Sequence, residues 1–203
     1  MSILPNLLTR ADGEWKRWGF SAVPIHGNKS IGGRESEQPY VQFVNEYWAA
    51  VGEPGRNGKS PYPWSAAFIS FCFKSAAAGT AFPYDEAHWG YCKAIVSRPG
   101  RYPKLRLMDP KSCTLSTGDL IWAARGGADC PSAPSSFDEA VRALRKGSWF
   151  CSHADIVVEL RDGEVDVIGG NVSDSVTKST YKTVGRKIRD PRHAWLAVVR
   201  NSL

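Results

Sequence analysis

The chain has 203 residues, of which 42% are hydrophobic and 23% charged, which suits one domain with a sizeable core and excludes a fibrous or disordered chain. A formal net charge of +6 favours anionic partners such as nucleic acid, headgroups or wall polymer. The basic residues are scattered and no RNA-binding or zinc-finger signature is present, so nucleic acid is not expected, and no apolar run reaches the length of a membrane span.

The opening stretch MSILPNLLTRADGEWKRWGF lacks a basic start, a long apolar middle and a small-residue cleavage site. It does not read as a secretory signal, so synthesis in the cytoplasm is expected, with another route out for any role outside the cell. Residues 1–34 read as an N-terminal arm or cap. Trp15, Trp18 and Phe20 can pack on a core, while Gly27, Gly32 and Gly33 punctuate the segment. The remainder, 35–203, reads as the main domain.

From Tyr40 to Gly52 apolar residues recur at helical spacing, with Tyr40, Phe43, Val44, Tyr47 and Trp48 on one face. A Gly- and Pro-rich loop follows, from Glu53 to Pro63. Trp64 to Gly79 is apolar nearly all round, which predicts a buried helix. A further helix is predicted from about Glu86 to Val96. Gly118 to Arg125 reads as a strand, and Phe137 to Gly147 as a short helix capped by Ser135 or Ser136. Ser152 to Val172 reads as two strands joined by a turn at Asp162-Gly163, and His193 to Arg200 as a last strand. Helices first and an antiparallel sheet after them make an α+β layout.

Five cysteines are present, Cys72, Cys92, Cys113, Cys130 and Cys151, with no C-x-x-C pair. Reduced thiols are the default expectation for a chain of this size. None of the four histidines pairs with another at metal-ligand spacing, so neither a metal nor a cofactor is expected.

Ser65 follows a Pro-rich loop and opens the buried helix. There it meets the positive end of the helix dipole and free backbone N–H groups, which stabilise an anionic nucleophile and an oxyanion. Serine is also a favoured helix cap, so position alone fits either role. His153 stands just ahead of a buried strand and can lean towards a helix N-terminus, or serve as a structural histidine. Asn171 ends the next strand after Gly169-Gly170, where its side-chain oxygen can orient the His153 ring or simply make a turn. Asp155 shares the strand face of His153 and is the alternative orienting partner. Trp64 and Tyr62 are groove candidates, and a hydroxyl at Tyr62 can bond an oxyanion; His88, beside aromatics, lines a groove or is a satisfied structural histidine, the second being the commoner case. Asp119 reads as a turn-forming residue at the start of its strand. Cys72 reads as a buried inert thiol, whereas Cys151 is a rival nucleophile on the face of His153.

The ordered set resembles the papain-like cell-wall hydrolases of the NlpC and CHAP types. Trp64-Ser65-Ala66-Ala67-Phe68 looks like their nucleophile helix, which carries Cys at its start. Gly118-Asp119-Leu120-Ile121, His153 to Val157 and Ile168-Gly169-Gly170-Asn171 look like the strands that follow. The likeness runs from about Tyr40 to Arg200, and it extends to a bacterial branch of unknown function that carries Trp-Ser-Ala-Ala-Phe and Ile-Gly-Gly-Asn. It implies a papain-like α+β fold and cleavage of an amide in a peptidoglycan stem peptide or its sugar link, with Ser65, His153 and Asn171 as the catalytic set. It also implies action in the periplasm or at the wall, as a lysin or an antibacterial effector with a cognate immunity protein. Ser65 departs from the usual Cys. It is a nucleophile in its own right, a replaced cysteine, or the remnant of a site in a module that binds wall without cutting it.

Overall fold

A computed structural model describes residues 2–127, 130 and 132–203. The stretch read as apolar all round forms helix α3 (Ser65–Ser75), which buries Ser65 to Ser70 together with Cys72 and Phe73. A helix without a polar face needs neighbours on every side. Here α1 (Leu4–Arg17), α2 (Tyr40–Ala50) and the sheet strands β4 (Ser152–Arg161) and β5 (Glu164–Gly169) supply them. Helix α2 turns Val41, Val44, Tyr47 and Trp48 inward, close to the face predicted. Two further helices, α4 (His88–Ser97) and α5 (Phe137–Lys146), complete the layer. Ser136 caps α5 by accepting from the Glu139 N–H, and Gly147, at φ 77°, ends it.

The remaining strands are β1 (Ser21–Val23), β2 (Leu105–Met108), β3 (Leu120–Ala124), β6 (Thr177–Val184), β7 (Lys187–Ile188) and β8 (Trp195–Asn201). Seven lie in the order β1-β6-β5-β4-β3-β8-β2, with β7 paired to β6 beyond that path. Every pairing is antiparallel except β1 with β6, so the fold is α+β, as expected. The β4–β5 turn falls at Asp162-Gly163, where Gly163 takes φ 73°.

Both sheet faces are covered. Leu120, Trp122, Ile156, Ile168 and Val199 pack under the helices. Ile121, Val157, Val167 and Val198 point the other way, onto Cys113, Leu115 and Ile188. Strand β6 escaped the sequence reading because its inward residues are Thr177, Ser179, Tyr181 and Thr183. The burial alternates with period two, but the letters do not alternate in hydrophobicity.

Residues 2–34 pack onto the rest of the fold through α1 and β1. Helix α1 buries Leu7 and Ala11, and β1 extends the sheet. Trp18 stacks on Trp64 with ring centroids 5.3 Å apart. The carboxylate of Glu14 is 1% exposed, and burial of that kind requires partners. Tyr47 donates its hydroxyl to Glu14 at 2.5 Å, Trp18 Nε1 donates to Tyr47 at 2.8 Å, and Arg17 lies 3.3 Å away. This network ties α1 to α2. Phe20 alone of the three N-terminal aromatics remains exposed.

The thiols are not all reduced. Cys130 and Cys151 form a disulfide, which joins the loop after β3 to the start of β4. Closing 21 residues restrains the unfolded chain by about 3 kcal/mol in the chain-entropy view. Cys151 is thereby removed as a nucleophile. Cys72 and Cys92 are free and fully buried, and burial pushes both thiols well up, so neither supplies a thiolate.

Candidate active site

The first residue of α3 meets the first residue of α4. Ser65 Oγ lies 2.6 Å from His88 Nε2, and both residues are 3% exposed. The first intrahelical bond of α3 runs from Phe68 N–H to the Trp64 carbonyl, so the amides of Ser65, Ala66 and Ala67 have no partner within the helix. They surround the hydroxyl with the positive end of the helix dipole.

His88 Nδ1 lies 2.6 Å from the Tyr91 hydroxyl, one helical turn along α4. Burial pushes His88 well down, as does a charge on His153 whenever that ring is protonated and the charge of Arg125, and burial pushes the Tyr91 phenol well up. Both groups are therefore neutral near pH 7. A neutral ring carries one N–H. When Tyr91 donates to Nδ1, that proton sits on Nε2 and points at Ser65 Oγ. The opposite tautomer makes Nε2 a proton acceptor but leaves the Tyr91 proton without an acceptor among the described residues.

A second pair lies behind the first. His153 stands edge-on to His88, with ring centroids 5.4 Å apart. Its Nε2 bonds Asp155 Oδ1 at 2.9 Å, and Asp155 is 2% exposed. Residues i and i+2 of β4 share a face, which is how the strand aligns carboxylate and ring. An ionised carboxylate only accepts, so in the neutral form of the ring that pairs with it the proton lies on Nε2 and the lone pair on Nδ1.

Gly169 and Gly170 explain why this geometry is available. A Cβ on Gly169 would stand 1.7 Å from Asp155 Oδ1 and 3.2 Å from His153 Nε2. A Cβ on Gly170 would stand 2.6 Å from the Cβ of Phe68 and 2.7 Å from the ring of Trp64. The bare backbone at the end of β5 lets the sheet close onto both the His153–Asp155 pair and the N-terminal turn of α3.

The expected site residues separate into groups. Ser65 is where the sequence placed it, but the ring bonded to it is that of His88, not His153. His153 takes Asp155 as its partner. Asn171 sits just past β5 at φ 59°, lines the same hollow as His153 and Asp155, and makes no hydrogen bond to the ring among the described residues. Trp64 faces the core rather than the groove: it is 1% exposed and donates Nε1 to Glu35 at 2.5 Å. Tyr62 is 51% exposed, with the Arg56 guanidinium 4.3 Å from its ring centroid. Asp119 is fully buried and accepts from the amides of Ser116 and Asn201, so it holds the start of β3 against the C-terminal strand. No group of metal-ligating side chains occurs among the described residues.

Two hollows flank the pair of rings. One of about 470 Å³ is lined by Ser65, Ala66, His88, Arg125 and Trp149. The other, about 390 Å³, is lined by His153, Asp155, Asn171, Tyr181, His193 and again Arg125. Arg125 was not singled out from sequence, and no local motif marks it. His88-x-x-Tyr91 did carry a signal, since residues three apart share a helix face.

Over residues 31–201 the sequence matches a bacterial family described as "Uncharacterized protein conserved in bacteria (DUF2272)". The chain belongs to that family. The match holds the Ser65, His88 and His153–Asp155 constellation and leaves α1 and β1 outside it. No curated protein and no solved structure matched. No helix among the described residues is long and apolar enough to cross a membrane.

Proposed function

We propose that this protein is a papain-like peptidoglycan hydrolase that cleaves an amide of the stem peptide or its sugar link, with Ser65 as nucleophile. The observation that carries the reading is the Ser65–His88 contact at the N-terminal turn of α3, backed by the His153–Asp155 pair. In this mechanism Ser65 Oγ attacks the carbonyl carbon. Its proton passes to Nδ1 of His153, the one ring with a carboxylate to balance the charge it gains. His88 stays neutral and donates Nε2–H to the developing oxyanion, together with free amides of α3. Collapse of the tetrahedral intermediate returns the proton to the leaving amine, and water, deprotonated by His153, then clears the acyl-enzyme. Asp155 takes the orienting part that the family resemblance implied for Asn171.

The net charge of +6 helps hold an anionic wall, an attraction that added salt weakens. The Cys130–Cys151 disulfide supports action in an oxidising compartment such as the periplasm. Delivery as an antibacterial effector, with an immunity protein filling the Ser65 hollow, extends this reading. Periplasmic expression tests it, since the effector reading requires toxicity there that Ser65→Ala removes.

A second reading is favoured by one observation. The Ser65 hydroxyl is already bonded to a neutral histidine whose far nitrogen has a phenol, not a carboxylate, as its partner. That arrangement suits a wall-binding module without chemistry. Wild-type, Ser65→Ala, Ser65→Cys and His153→Ala proteins incubated with purified peptidoglycan separate the two, with products read by mass spectrometry. Cleavage by wild type alone among the wild-type, Ser65→Ala and His153→Ala proteins supports the hydrolase. Cleavage by Ser65→Cys only identifies a thiol enzyme that has lost its sulfur. Binding by all four without products leaves the module.

A further inference from the structure

A third hollow, about 590 Å³, opens on the other side of Trp89 from Ser65. Trp89 lines both this hollow and the Ser65 hollow, and its Nε1 is pinned to the Ser148 carbonyl at 2.9 Å. Lys93, Arg98 and Arg101 line the third hollow, and none forms an ion pair among the described residues. The Lys93 ammonium sits 4.7 Å from the centroid of the Trp89 ring. Asp85 lines the same hollow. Among the described residues its carboxylate accepts only the Ala87 N–H, at 2.9 Å, and it packs flush against Gly90, where a Cβ would stand 2.2 Å from the carboxyl carbon. Its backbone is held to α3 through Ser70 Oγ, at 3.0 and 3.2 Å.

Charges of both signs thus face one cavity without meeting. Unpaired acid and base around the same space complement a ligand that carries both charges at a fixed spacing. Burial pushes the Asp85 carboxyl up, a cost that a ligand ammonium offsets.

We propose that this hollow binds the zwitterionic end of a peptide, with the ligand ammonium on Asp85 and its carboxylate on Lys93, Arg98 and Arg101. Trp89, which lines both hollows, sets this site beside the one that holds Ser65. This deepens the wall-hydrolase reading and rests on it for the identity of the peptide, while binding is measured apart from cleavage.

The test uses full-length Ser65→Ala protein and isothermal titration with a stem tripeptide ending in diaminopimelate, the same peptide N-acetylated on the diaminopimelate side-chain amine, and the same peptide amidated at the diaminopimelate carboxylates. The unmodified tripeptide is expected to bind most tightly. Blocking either charge is expected to weaken binding roughly fivefold, the size of one solvent-accessible ion pair. In Asp85→Asn the N-acetyl penalty disappears while the amide penalty stays. In Arg98→Gln/Arg101→Gln the reverse holds. Equal affinity for the three probes, penalties unchanged in the variants, or no binding at millimolar concentration overturns the proposal. The predicted pattern of binding, alongside a wild-type protein that leaves wall intact, keeps this site and removes the hydrolase reading alone.

Discussion

His88 and His153 touch edge to face, yet they are opposite kinds of histidine. His88 has the contact with Ser65 but no counter-charge: its far nitrogen meets the Tyr91 phenol. His153 has the counter-charge in Asp155 but no bond to Ser65 in this structure. Burial holds the first ring neutral and suits it to donate a hydrogen bond. The second ring has a carboxylate bonded to it instead. Proximity to the Ser65 hydroxyl and pairing with a carboxylate are separate properties, and here two residues divide them.

Asp155→Asn should produce the largest effect that tests this division. It is expected to lower kcat for wall cleavage by about 10³- to 10⁴-fold, since the amide turns the ring to the wrong tautomer and cannot balance its charge. A loss below tenfold in steady-state turnover would move the base to His88. Gly169→Ala comes next. Its Cβ would stand 1.7 Å from Asp155 Oδ1, so the pair must shift. A displacement of that order is expected to cost about 10² in turnover and about 1–3 kcal/mol in stability. Normal activity together with an unchanged melting temperature would show that the pair is not held as described.

The pH dependence of folding separates the rings next. With His88 held well below its ordinary value, stability is unaffected above about pH 6.5. As pH falls below that value the unfolded chain takes up the proton first, so stability drops until the folded ring also titrates. His193, pushed down by burial, acts with the same sign. Asp85, Asp119 and Glu35 are pushed up by burial and act with the opposite sign, lower, in the carboxylate range. Thermal melts of wild type at about pH 7.5 and about pH 5.5 should show the drop, and His88→Asn should flatten it. Equal slopes in the two proteins would assign the effect elsewhere.

The smallest change is expected from Tyr91→Phe. It removes the partner of His88 Nδ1 at a cost of about 1–2 kcal/mol in stability. Wall cleavage should stay within about tenfold of wild type, because the proposed mechanism uses His88 as a donor and not as the base. A loss matching that of Asp155→Asn would make Ser65–His88–Tyr91 the working row.

Much of the scaffold was legible in the chain. Helix α3 announced itself by apolar residues on all sides, α2 by one apolar face, and the β4–β5 hairpin by Asp162-Gly163 between two apolar runs. The N-terminal residues misled because their binding is tertiary: Glu14, Trp18 and Tyr47 find each other across two helices. The disulfide was hidden because cysteine spacing does not reveal which thiols meet. Asn171 was favoured over Asp155 because strand pairing suggested a neighbour across the hairpin, whereas the bond formed along β4 itself.

The sequence alone determined that helices would carry Ser65 at a buried N-terminus and that a strand would present His153, since both follow from local periodicity and turn chemistry. Only the tertiary structure decided which ring meets the serine. That contact joins the first turns of two helices separated by a loop, and Gly170 lets the sheet approach the first of them closely. Local patterns specify the elements, whereas close packing of distant residues specifies a site.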